Sequence, residues 1–389
     1  MTLVGVFGIL LGLLAWPFAF VERTRARAAI FVLAYLAHTL SAVVFFLYTQ
    51  TNASDASLYY LDPYGMYTLG FGFSTQLIVY LVQSIKTAFG GTYLDYFFIF
   101  QALGFFGIAL LMRIFEEIYL GLNLPQPRWA YLLLFLPGIH FWTSAIGKDA
   151  PIFTACCLAI WAAMQIKRRY LALGFAIVMM ILIRPHIALI TVVAVAWTVF
   201  ADRTTHVLLR GLLVIVSIAG LAGAAVTLKS SIRLDVTNAD SVSDFLAARD
   251  NFVQAGDLGT TGVANAPYVV KVFSFLFRPL FLDANGPFGF IASIENVILL
   301  VIFGLMALRL RTLFGAARSV PFVRYALLSS IGITLALAID YYNVGLGLRQ
   351  KTMVVPGFLV VVVAMAALRE ARRRASEAAQ MVRASPLTA

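Results

Sequence analysis

A small set of charged residues sits at the ends of apolar runs, where nothing in a plain hydrophobic core requires them. Asp55 stands in SDASLYY, and Lys148 and Asp149 close HFWTSAIGKD. Arg184 and His186 flank Pro185 between two apolar runs, and Arg278 precedes Pro279. Glu295 lies about one turn inside the next run, and Arg349 and Lys351 follow in DYYNVGLGLRQK. Arginine grips phosphate through a bidentate fork, and lysine does so as a point charge. Lys148, Arg184, His186, Arg278, Arg349 and Lys351 therefore make a candidate anion-binding set, with Glu295 among them. Asp55 or Asp149 would serve as general base toward an incoming hydroxyl.

Each of these residues also has a purely structural reading. Lys148 and Asp149 can pair across a short turn, which contributes little when exposed. Arg184 can snorkel to a polar interface with Pro185 marking a break between helices, and Asp55 can cap a helix. Glu295, inside an apolar run, needs a partner in either case. Trp142, Tyr59, Tyr60, Tyr341 and Tyr342 fit an aromatic belt at a membrane interface, or a stacking surface for sugar rings.

The elements that must position these residues follow from composition. Hydrophobic residues make up 61% of the 389-residue chain and charged residues 12%, far from the balance of a soluble domain. Apolar runs of about 17–22 residues recur along it, the length a helix needs to cross a hydrocarbon core. The runs are apolar all round, unlike the alternating strands of a membrane barrel. An all-α polytopic transmembrane bundle is expected, with about eleven spans near 2–20, 29–48, 94–113, 129–147, 150–166, 170–184, 186–201, 207–228, 290–309, 325–340 and 352–368.

Basic clusters fall on every second side of these spans, as the positive-inside tendency requires of cytoplasmic loops. The N-terminus is then outside, the C-terminus cytoplasmic, and the candidate residues gather on the outer face. Two outer loops are long, about 49–93 and 229–289; STQLIVYLVQSIKTAF in the first and VVKVFSFLFRPLF in the second read as helices lying on the membrane surface. Residues 1–368 form one integral membrane domain, and 369–389 a basic tail that ends loosely. No removable signal peptide is expected, since no basic residue precedes the first run. The net charge of +11 is spent in the loops, which leaves no case for a nucleic-acid partner. Cys156 and Cys157, adjacent in an apolar run, imply no disulfide framework. No metal or other cofactor is expected.

The stretches FWTSAIGKD, IRPH, LFRPLFLDANGPFGFIASIEN and NVGLGLRQKTMVVPGF, in that order, resemble bacterial membrane proteins of surface polysaccharide synthesis. They are similar to Wzy-type oligosaccharide repeat-unit polymerases and, more distantly, to C-superfamily glycosyltransferases, over roughly residues 50–365. The resemblance implies an inner-membrane enzyme acting on polyprenyl-linked oligosaccharides, with other polysaccharide-assembly proteins as partners. Asp55 stands where the C-superfamily has the acidic residue of its first outer loop that is the catalytic base, although Ala56 follows it where those enzymes often carry Glu. The polymerase resemblance instead implies that Arg184, Arg278 and Arg349 hold the lipid pyrophosphate. A transporter or flippase of lipid-linked or anionic substrates is the alternative, to be recognised by internal repeats and broken helices.

Overall fold

The computed structural model describes residues 1–202, 211, 263, 266–284, 286–339, 341 and 343–384. The expected span over 207–228 and the polar part of the second loop lie outside them. The described residues build an all-helical bundle. Among the described residues, four helices are long and apolar enough to cross a membrane: Arg25–Tyr48, Tyr93–Leu120, Gly286–Ala307 and Pro321–Ile339. A bent pair, Val344–Met353 with Val355–Met381, makes a fifth if it is one span. Large apolar side chains such as Leu33, Leu36, Leu40, Val178 and Val301 face outward, whereas His38, Gln101, Glu116, Glu295 and Asn296 are buried. That polarity suits a molecule whose surroundings are lipid.

The first apolar run is broken into α1 (Leu3–Leu13) and α2 (Trp16–Ala19). In α3 (Arg25–Tyr48), the Thr24 hydroxyl caps the start by accepting the Arg27 N–H at 3.3 Å. Two helices, α4 (Asp55–Leu61) and α5 (Thr75–Phe89), fill the first loop. A helix forms over the expected amphipathic stretch, and Leu77, Ile78, Val79 and Val82 of α5 are its buried face. The central α6 (Tyr93–Leu120) opens on a Thr92/Asp95 capping box and packs against α1 and α3.

The run over 129–147 is not one straight span. It forms α7 (Arg128–Leu132), a short 3-10 turn and α8 (Pro137–Thr143). Leu136 is held extended (φ −59°, ψ 122°), as the ring of a following proline demands. Where α8 crosses α6, Thr143 O would fall 2.0 Å from a Cβ at Gly104, so only glycine permits the crossing.

Beyond lie α9 (Asp149–Ala163), α10 (Ile166–Ile183) and α11 (Pro185–Phe200). Arg184 is non-helical (φ −147°, ψ 82°) because Pro185 follows it, so the α10–α11 turn carries its guanidinium. The remaining helices are α12 (Tyr268–Phe277), α13 (Gly286–Ala307), α14 (Leu310–Ser319), α15 (Pro321–Ile339), α16 (Val344–Gln350) and α17 (Val355–Ala384). The α17 helix runs through the segment expected to be loose. Arg373 and Arg374 pair along it with Glu370, and Arg373 also with Glu377, at helical spacing.

Side-chain pairs define two ends. Arg27 meets Glu116 at 2.8 Å, and Arg169 meets Glu117 at 2.9 Å. Asp149, at the other end of α9, faces Arg184 and Arg349. From Asp149 to Trp161 along α9 is roughly 18 Å at 1.5 Å per residue.

Candidate functional site

The first loop is strapped down before it supplies any chemistry. From α5, Gln83 Nε2 donates to Tyr59 O and Tyr60 O at 3.1 and 2.8 Å, and Lys86 Nζ donates to Tyr60 O at 3.0 Å. Ser74 N–H donates to Leu182 O at 2.8 Å, which fastens the loop to the end of α10 beside Arg184. Ser54 caps α4, its hydroxyl accepting from Ala56 N–H at 3.3 Å. Asp55 is therefore not the cap, and its carboxylate is available for other partners.

Those partners come from far along the chain. Arg349 Nη1 donates to Asp55 Oδ2 at 2.7 Å, and Arg349 Nε donates to Asp149 Oδ2 at 2.8 Å. Arg184 Nη2 reaches the other oxygen of Asp149 at 3.3 Å. Lys148 does not pair across the turn with Asp149; its Nζ donates to Thr75 Oγ1 at 3.1 Å. His186, at the exposed start of α11, stands within electrostatic reach of Arg184 and Lys148. Three cations thus surround two carboxylates, which leaves a surplus of positive charge.

The two carboxylates differ in access. The Asp149 side chain is 6% exposed, with both oxygens engaged by arginines. The Asp55 side chain is 50% exposed and meets Arg349 through one oxygen. Asp149 holds the arginine forks in place, and Asp55 is the carboxylate that a bound molecule can reach. Arg184 keeps a buried Nε with no partner among the described residues. Burial lowers the pKa of Lys148, and the neighbouring Arg184 adds to the shift. Tyr59 is buried, and burial with the nearby Asp55 raises its phenol, so it stays neutral. It forms part of the site's floor and is not a belt residue. Tyr341 is likewise buried.

The rest of the candidate set lies behind α16. Asn343 caps this helix by accepting Leu346 N–H at 3.0 Å. Arg349 leaves α16 toward the carboxylates, while Val344, Gly345 and Leu348 line a cavity of about 710 Å³. Aromatic and aliphatic residues of α3, α8 and α13 form its walls, among them Tyr48, Phe141, Trp142, Phe288 and Ile291. Arg278, Asp283 and Glu295 are its charged groups. Arg278 Nε donates to Asp283, and Glu295 accepts the Gly138 N–H. Lys351 is 3% exposed, with Nζ donating to Arg278 O at 2.9 Å and Asn296 Oδ1 at 2.7 Å. Asn296 Nδ2 in turn donates to Pro279 O at 2.7 Å. Lys351 thus ties the Arg278–Pro279 segment to α13 and does not join the open cluster.

Asp55, Lys148, Asp149, Arg184 and Arg349 are therefore brought together, with His186 at their edge. Arg278, Glu295 and Lys351 form a second group along the cavity. Sequence reasoning passed over Thr75, Asp283 and Asn296. The last two adjoin Arg278 and Glu295 in a largely apolar stretch, and that was the available signal. Among the described residues no three His, Cys, Asp or Glu gather as metal ligands. The chain matches no family model, no curated protein and no solved structure.

Proposed function

We propose that this chain is a glycosyl-transferring enzyme of the bacterial inner membrane. It uses polyprenyl-pyrophosphate-linked sugars at the outer face and polymerises polysaccharide repeat units. One observation carries this reading: Lys148, Arg184 and Arg349 converge with Asp55 and Asp149 beside an apolar-walled cavity. A surplus of cations next to such a cavity suits an anionic head on a long apolar chain. The arrangement of about eleven spans, with the N-terminus outside and the C-terminus in the cytoplasm, belongs to the same proposal.

In this mechanism the bond between the sugar's anomeric carbon and the pyrophosphate oxygen breaks. The electron pair leaves with the lipid pyrophosphate, and Arg184, Arg349 and Lys148 stabilise the charge that develops there. A bond forms from the acceptor hydroxyl to the anomeric carbon, and Asp55 takes the hydroxyl proton. Asp149 keeps the two arginines aimed.

A transporter of lipid-linked substrates has one observation in its favour. The helix pair that presents Arg349 is bent by 50°, and broken helices often form transporter sites. A deletion strain, complemented by wild type, Arg184→Ala or Asp55→Asn and scored for lipid-linked glycan, separates the readings. Single repeat units accumulating on the lipid at the outer face, unrelieved by either variant, are the expected result. Intermediates held on the cytoplasmic face would replace the enzyme with a transporter, and full complementation by Arg184→Ala would remove the pyrophosphate clamp.

A further inference from the structure

At the end of the bundle held by Glu117, a cavity of about 340 Å³ lies where α9 turns into α10, beside the end of α11 and the start of α15. Lys167, Arg168, Thr198, Asp202 and Pro321 are among its walls. None of them enters the chemistry proposed above. The packing beneath fixes these walls. Gln165 leaves the helical path (φ −144°, ψ 58°), and its carbonyl accepts from the N–H groups of Arg168 and Arg169 at 2.9 Å. Arg169 turns inward to Glu117 and to Trp161 O. Its neighbours Lys167 and Arg168 are left exposed, with no ion pair among the described residues. On the facing wall Arg324 Nη1 donates to Thr198 O at 3.1 Å, and Nε donates to Ala317 O at 2.9 Å. Arg324 thereby fastens the end of α11 to α14 and to the start of α15.

The surroundings select what can fill this cavity. Tyr170 and Leu171 on α10, and Trp197 and Phe200 on α11, are each more than half exposed. Outward apolar side chains of that kind border hydrocarbon, with tryptophan and tyrosine at its polar edge. The α14 helix has the build of an interfacial helix: Leu313 and Ala316 are buried, Phe314 is 54% exposed, and Arg311 and Arg318 are exposed. Two cations face the cavity against Asp202, which has a partner of its own. A basic pocket between helices, with apolar flanks outside it, suits a phosphate that carries acyl chains. We propose that this cavity binds the headgroup of an anionic phospholipid. The Arg168 guanidinium takes the phosphate as a fork and Lys167 as a point charge, while the acyl chains lie along the outward faces of α10 and α11. The Glu117 cluster sets the turn that presents both cations. This site stands apart from the enzyme reading, since it needs neither the cluster at Asp149 nor its substrate.

The test is native mass spectrometry of the full chain released from nanodiscs that hold phosphatidylcholine and phosphatidylglycerol. One retained phosphatidylglycerol per chain is expected to dominate, with phosphatidylcholine lost under the same conditions. Lys167→Gln combined with Arg168→Gln should lower that retention tenfold or more. Arg309→Gln combined with Arg311→Gln, at the start of α14, should leave it within twofold. The wild-type chain alone can overturn the assignment, by keeping both lipids equally or by carrying a broad series of adducts with no dominant first one. Unchanged retention in the first variant would overturn it too, and equal losses in both variants would replace a site with diffuse surface charge. Displacement of the lipid by millimolar inorganic phosphate would give the cavity to a soluble anion instead.

Discussion

The two ends of the bundle use the same residue types to opposite effect. At one end Glu117 accepts from Arg113 Nε at 2.7 Å, from Arg169 Nη2 at 2.9 Å and from Trp161 Nε1 at 3.3 Å. Arg169 also lies 4.0 Å over the Trp161 ring and donates to Trp161 O. Beside it, Glu116 receives Arg27 and the N–H groups of Val21 and Glu22. Arg27, Arg113 and Arg169 are matched there by Glu22, Glu116 and Glu117 in a closed set of pairs, with the exposed Arg23, Arg25, Lys167 and Arg168 around it. At the other end the cations outnumber the carboxylates, Asp55 is half exposed, and Arg184 holds back one buried donor. Matched charge locks helices together; surplus charge with an open carboxylate is an arrangement that can receive an anion.

The sharpest way to break the comparison is the same conservative change at each end. Arg349→Lys keeps the charge but loses the fork that spans Asp55 and Asp149, and lysine does not replace a bidentate contact. Glycan transfer in isolated membranes is expected to fall about 10²–10³-fold, the scale of removing one transition-state donor. Arg113→Lys should leave transfer within about twofold, since Arg169 and Trp161 still hold Glu117 and a partly exposed pair contributes little. Equal losses in both variants would mean that the cations at the two ends have the same role.

Glu117→Ala sharpens the contrast from the stability side. Removing one member of a buried ion-pair group costs about 3–5 kcal/mol, because Arg169 is left against Trp161 without its carboxylate. The melting temperature of the purified protein should drop by several degrees or more, while transfer per folded molecule stays near wild type. A variant that melts normally but does not transfer would move the functional centre to the Glu117 end.

Much of the fold was legible because hydrocarbon burial writes itself into run length. The run over 29–48 became α3 and that over 94–113 became α6, and the amphipathic 75–89 segment is helical as its polar spacing suggested. The run over 129–147 misled, since average apolarity does not register that Pro137 holds Leu136 extended. The short α9 and α11 remain below spanning length on their own. At the site, the residue types were readable and the pairings were not. Arg349 and Asp55 are 294 positions apart, and no local spacing encodes which cation meets which carboxylate. Nothing in the sequence separated the open Asp55 from the saturated Asp149, or the open Arg349 from the sealed Lys351, because that difference is one of burial.

Lys148 gives a smaller effect with a definite sign. Burial first, and Arg184 second, lower its pKa, so it loses its proton at a lower pH than an exposed lysine. Anion binding should weaken as pH rises through that lowered value. Stability moves the other way in the window between it and the ordinary lysine value of about 10.4. There the unfolded chain binds more protons than the folded one, so the stability of the fold rises with pH. Measuring inorganic pyrophosphate binding and melting temperature together across alkaline pH checks both signs. Lys148→Met should flatten the binding limb, and parallel loss of binding and stability in the wild type would contradict this account.

The mildest perturbation tests whether the turn before Asp149 matters to the open end alone. Gly147 has φ +155°, and a Cβ there would sit 3.2 Å from Tyr59 Cε2. Gly147→Ala therefore strains the backbone, by about 1–3 kcal/mol for a sparsely populated conformation, and presses on the ring beneath Asp55. Relief comes most readily by shifting the Lys148–Asp149 turn, which moves the carboxylate that aims Arg184 and Arg349. Transfer should fall several-fold, with a stability loss well below that of Glu117→Ala. The Glu117 cluster, roughly 18 Å away along α9 at 1.5 Å per residue, should hold its arginines unchanged. Hydrogen exchange at Trp161 and its neighbours reads that directly. Faster exchange there would show that the two ends are mechanically coupled through α9, and the division between a locking end and a receiving end would no longer hold.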